Sequence, residues 1–188
     1  MSKPSFAWLP EGMQPHFTVR DLVFIGIFAA VAKAAALGIA FVGGGMNPLS
    51  LALKNFVYTA LMLVLAHKVQ KPWTLTLAVL VSSLISLLLM GQGVLHTPGA
   101  LLTCVLAEFI IYALGGYHRA FNLMAGVLFL EVAGKVVSLA VAWMYYREQP
   151  ALIAVPVVFI SIGALGSVVG LAGGTKLVKE LRHASFIS

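Results

Sequence analysis

Residues 120–147 read AFNLMAGVLFLEVAGKVVSLAVAWMYYR. The run is apolar for longer than the roughly 20 residues a helix needs to cross about 30 Å of hydrocarbon. Near its centre it carries Glu131 and Lys135, four residues apart and therefore on one helix face. It ends in Trp143, Tyr145 and Tyr146, side chains that favour a membrane–water interface. The alternation of polar and apolar residues that a barrel strand needs is missing, so the segment predicts a transmembrane helix.

Five more apolar runs lie around it, at about 20–42, 47–66, 73–90, 97–115 and 151–175. The breaks carry turn chemistry: Gly43 to Pro48, His67 to Pro72, Gly91 to Pro98, Gly115 to Arg119, and Arg147 to Pro150. Proline at or just after a break suits the first turn of the next helix, where its missing N–H is not needed. The expected fold is an all-α integral membrane protein, six transmembrane helices in one bundle over residues 20–175. Residues 1–19 make an interfacial or disordered lead-in that includes Phe6, Trp8 and Phe17. With Lys3, Glu11 and no apolar run, that segment does not read as a signal peptide. Residues 176–188 make a basic cytoplasmic tail.

Composition agrees. Of 188 residues, 61% are hydrophobic and only 10% charged, against about one quarter charged in a soluble domain. Mean hydropathy is +1.01. A soluble globular domain and a disordered chain are both excluded. The net charge of +6 speaks for membrane orientation rather than for nucleic acid, because a phosphate footprint needs a soluble surface. One side of the six runs carries Lys3, Arg20, Lys68, Lys71, Arg119, Lys176, Lys179 and Arg182; the other carries Arg147 alone. Such a bias places both termini in the cytoplasm and the 43–48, 91–97 and 147–150 turns outside.

Five ionisable residues remain inside the runs: Lys33, Lys54, Glu108, Glu131 and Lys135. Counted from the run midpoints, all fall within about 5 Å of the midplane. Each costs about 3 kcal/mol in lipid unless paired or hydrated, so they are expected to converge on the bundle interior. Two outcomes are open: a polar ligand cavity at mid-depth opening outward, or internal salt bridges that only tie helices together. Lys54 is near enough to the outer face to snorkel. Glu108 stands one turn before Tyr112 and can anchor a structural hydrogen bond. Asn47, Ser50, Gln92, His96 and Thr97 cluster with glycines near two outward turns, as turn residues or as a lid over the cavity. Cys104, the sole cysteine, permits no disulfide within the chain and reads as a small packing residue.

Small residues recur every fourth position in the first run, as Gly26, Ala30 and Ala34 and as Ala32, Ala36 and Ala40. The last run repeats the pattern with Gly163, Gly166, Gly170, Gly173 and Gly174. Such stripes let helices approach closely, inside the chain or against a partner. No Walker-type phosphate loop, zinc-ligand cluster or nucleophile elbow occurs, so neither an enzyme nor a cofactor or metal is expected.

Together these features resemble the substrate-binding S component of energy-coupling factor (ECF) transporters, within it the MptD or Trep_Strep-type group. The resemblance rests on Phe17 to Ala30, on Gly91-Gln92-Gly93, and on Gly163 to Gly174 followed by Lys176 to Leu181. It implies a bundle in a bacterial or archaeal cell membrane that captures a vitamin, a vitamin precursor or a metal ion. It also implies docking on a transmembrane T component that carries two cytoplasmic ATPase subunits. The docking surface in that family is a small-residue stripe on the first helix. Here the stripe is matched at Ala30/Ala34 or at Ala32/Ala36, with Lys33 between them, leaving two candidate faces. Metal-transporting relatives use a histidine near the N-terminus, where this chain has Met1-Ser2-Lys3, so nickel or cobalt is not expected. The competing class is a self-sufficient secondary transporter driven by ions, with Glu108 and Glu131 as proton carriers.

Overall fold

The computed structural model describes residues 17–43, 47–90 and 97–184. The six apolar runs are six helices: α1 (Val19–Val42), α2 (Pro48–Val69), α3 (Thr74–Met90), α4 (Thr97–Ala113), α5 (Ala120–Tyr146) and α6 (Ala154–His183). A 3-10 turn over Pro150–Ile153 leads into α6, and the described residues contain no strand. By length and composition α1, α2, α5 and α6 are long and apolar enough to span a membrane. Helices α3 and α4 have 17 residues each, about 26 Å, the lower limit for a span. The basic segment from Lys176 onward continues α6 as far as His183.

Local chemistry sets the helix starts. Thr18 caps α1 in a reciprocal box: its hydroxyl accepts from the Asp21 amide at 3.3 Å, and its own amide donates to Asp21 Oδ2 at 2.8 Å. Asn47 Oδ1 accepts from the Leu49 amide at 3.0 Å, with Pro48 in the first turn of α2. Helix α3 is capped from another helix. Glu108 of α4, fully buried, accepts the Leu75 amide at 2.8 Å and the Thr76 amide at 3.4 Å. A carboxylate suits the positive end of a helix dipole. Its other oxygen accepts from the Tyr117 hydroxyl at 2.5 Å. Burial, then the adjoining carboxylate, push the Tyr117 phenol well above its usual range.

Around the bundle the helices follow the order α1, α3, α4, α5, α6, α2, and α2 also touches α3 and α5. Its most extensive contact is with α6, which it follows in parallel, Ala52 against Gly166, Phe56 against Gly170 and Ala60 against Gly174.

The two ends of the bundle differ. Asp21 pairs with Lys71 at 2.5 Å, and Arg20 and Lys68 both lie over the Phe24 ring, which fixes the start of α1 beside the end of α2. Here the core is filled: Ile25, Leu63, Leu65, Leu75, Ile111 and Leu123 are all but inaccessible. In the opposite half, Ser50 is the one residue of α2 before Thr59 that is buried. The interior is thus packed at the basic end and looser toward the other.

Candidate functional site

Above the packed half lies a cavity of about 210 Å³. Helix α2 contributes Asn55 and Tyr58, α3 contributes Val79, and α4 contributes Ala100, Thr103 and Cys104. Helix α5 supplies the charged wall, with Glu131, Gly134, Lys135 and Ser138. The Glu131 side chain is 8% exposed and that of Lys135 24%, with Nζ and Oε2 3.6 Å apart.

Each charge is held by a neighbouring helix. Ser167 of α6 donates to Glu131 Oε2 at 2.5 Å, and Lys135 donates to Asn55 Oδ1. Asn55 is itself fixed, its amide nitrogen donating to the Leu51 carbonyl at 2.8 Å. Four side chains from α2, α5 and α6 therefore form one connected polar network. A pair placed this way satisfies much of its hydrogen-bonding capacity without water, which a buried charge requires. A cavity with a few convergent polar groups on apolar walls can hold a small solute.

Of the five ionisable groups expected in the bundle interior, Glu108 and Glu131 are buried there and Lys135 is partly so, and of the five only Glu131 and Lys135 line the cavity. Glu108 lies one turn from Cys104, at the basic side of the cavity floor, and its carboxylate caps α3. Its side-chain partner is Tyr117, not Tyr112, because the turn after α4 folds the Tyr117 hydroxyl back onto it. Lys54 faces a separate apolar groove of about 570 Å³ bordered by Leu51, Tyr146 and Phe159. Lys33 is half-buried on α1, which contributes no wall to the cavity, and has no hydrogen-bond or ion-pair partner among the described residues. Position along a helix fixes a residue's depth but not the direction it faces.

Asn47 is engaged as the α2 cap, while Gln92 and His96 lie outside the described residues. Among the first-helix candidates, Ala32 is buried at 7% exposure and Ala36 is half-buried. Ala30 and Ala34 are exposed, and half-buried Gly26 has nothing within 4 Å of where a Cβ would stand. Among the described residues no group of three or more His, Cys, Asp or Glu is placed to hold a metal ion.

Asn55, Tyr58 and Ser167 were not singled out in the sequence. Asn55 had a signal, being an amide inside an apolar run, but it sits beside the charged Lys54. Ser167 was hidden within a glycine stretch that reads as packing.

An all-helical membrane protein with an internal polar cavity is the class these features define. Over residues 19–181 the chain matches the family model described as hypothetical bacterial integral membrane protein (Trep_Strep), and it belongs to that family. Comparison with curated proteins gives no match, and comparison with solved structures gives none either.

Proposed function

We propose that the chain is the membrane-embedded substrate-binding (S) component of an ECF-type importer in the bacterial inner membrane. It captures a small vitamin-like or vitamin-precursor solute from outside and has no catalysis of its own. The observation that carries this reading is the Glu131–Lys135 pair, held by Asn55 and Ser167 on the wall of a cavity. A pair serving only to tie helices together needs no adjoining space.

The Lys/Arg bias sets the basic end in the cytoplasm, with Val19 and His183 both at that face and the looser half of the bundle outward. All six helices then cross, α3 and α4 with little length to spare. The exposed face of α1 around Ala30 and Ala34 is the surface offered to a transmembrane T component with its two ATPase subunits. Transport requires that docking be tighter in one ligand state than in the other, since only differential affinity shifts an equilibrium.

Reconstituted uptake tests the reading. Uptake that requires T component and ATP supports it. Uptake by this chain alone under an ion gradient replaces it with the secondary-transporter alternative.

A further inference from the structure

The cavity's charges form a matched pair. Glu131 and Lys135 stand one turn apart on α5, and their 3.6 Å separation is within ion-pair range but longer than a hydrogen bond. Each is held from behind, Glu131 Oε2 by Ser167 and Lys135 by Asn55. These contacts use only part of their capacity. A carboxylate offers two oxygens and an ammonium three donors. Glu131 Oε1 and two of the three Nζ hydrogens have no hydrogen-bond partner among the described residues, one of the two facing Glu131 across the ion pair. The Tyr58 hydroxyl, one turn along α2 from Asn55, also has none among the described residues and belongs to a side chain on the cavity wall.

Charge and size narrow the solute. The pair sums to zero charge, and among the described residues no other charged side chain lines the cavity. A bound anion or cation would leave an unbalanced charge beside Val79, Leu130 and Val137, and an uncompensated charge in apolar surroundings is strongly disfavoured. A solute with both charges keeps the sum at zero and meets each member of the pair with its opposite. At about 30 Å³ per water, the 210 Å³ cavity has room for about seven waters, or on the order of ten non-hydrogen atoms.

We infer that the cavity takes a small zwitterion of the α-amino-acid kind. Its ammonium meets Glu131 Oε1, its carboxylate meets Lys135 and the Tyr58 hydroxyl, and a short apolar side chain lies on Val79, Ala100 and Leu130. This rests on the cavity being a solute site, as proposed above, and narrows it to one chemical class.

The test uses the full chain in lipid nanodiscs. The probes are the apolar L-α-amino acids from alanine to phenylalanine, each with its counterpart lacking the ammonium and its counterpart lacking the carboxylate. At least one amino acid is expected to bind roughly tenfold to a hundredfold tighter than both of its counterparts, the scale of a lost charged hydrogen bond. Glu131→Gln should move the preference to the carboxylic acid, and Lys135→Met to the amine, an inversion that a merely structural role for the pair would not produce. The inference is overturned if no amino acid binds, if the acid or the amine binds best to the unmodified chain, or if folded variants keep its preference. If the variants do not fold, the three-way comparison on the unmodified chain decides. A neutral or anionic solute whose uptake depends on Lys135 would overturn the zwitterion and leave the transport reading standing. Zwitterion binding with the predicted inversion, but no uptake with any energy-coupling partner, would do the reverse.

Discussion

Small residues repeat every fourth position on both α1 and α6, and the structure puts the two stripes in opposite surroundings. On α6 a Cβ at Gly166 would stand 2.2 Å from the Ala52 carbonyl oxygen, and one at Gly170 would stand 2.5 Å from that of Phe56. These glycines are the reason α2 and α6 can run backbone to backbone. On α1, Gly26 and Gly38 have nothing within 4 Å of the same position, and Ala30 and Ala34 are exposed. The spacing therefore tells where two backbones can approach, and only the fold tells whether the partner lies in the same chain. The α6 stripe is consumed inside the molecule, and the α1 stripe is left over.

The largest effect should come from closing the α6 stripe. Gly166→Leu or Gly170→Leu forces a side chain into backbone, which cannot swing aside as a flexible side chain can. Overpacking costs about 1–3 kcal/mol where neighbours can move and more where they cannot. Loss of a monodisperse, cooperatively melting protein in detergent is expected for both. A variant that melts like the parent would break the comparison.

The same seam positions the site, since Ser167 lies between those two glycines and donates to Glu131. Ser167→Ala should cost about 1 kcal/mol in thermal stability, the scale of one hydrogen bond. Solute affinity should fall roughly tenfold as Glu131 loses its orientation. Unchanged affinity would show that Lys135 alone keeps the carboxylate in place.

Much of this was legible in the sequence, for identifiable reasons. The six helices were readable because an apolar run between Gly/Pro breaks is dictated by the bilayer one residue at a time. The Glu131–Lys135 pair was readable because both members share one helix and one turn fixes their spacing. Asn55 and Ser167 were not, because their roles depend on which helices meet α5, and no local pattern encodes that. Glu108 was readable as a hydrogen-bond anchor but its partners were not, because the Leu75 and Thr76 amides belong to a helix more than thirty residues away.

The α1 stripe can be tested with a bulkier side chain. Ala30→Leu or Ala34→Leu points three added carbons away from the bundle, so stability should stay within about 0.5 kcal/mol and solute binding by the isolated chain should not change. ATP-driven uptake with the partner subunits should be lost, because two helices that must nearly touch no longer can. If solute binding fails as well, the stripe is part of this chain's own packing.

The smallest effect belongs to the two open glycines. Gly26→Ala and Gly38→Ala add one methyl where nothing stands within 4 Å, so no neighbour has to yield. Glycine inside a helix is disfavoured by up to about 1 kcal/mol relative to alanine, because it gives up more backbone freedom on folding. Both variants should therefore melt at the parent's temperature or slightly above it. The matching change at the seam, Gly166→Ala, should lower the melting temperature, because its methyl meets the Ala52 carbonyl. Identical substitutions on two helices are thus expected to differ in sign, and the sign depends on whether another backbone lies alongside. A drop at Gly26 or Gly38 as large as that at Gly166 would mean that α1 is packed as closely as α6 and offers no face to a partner.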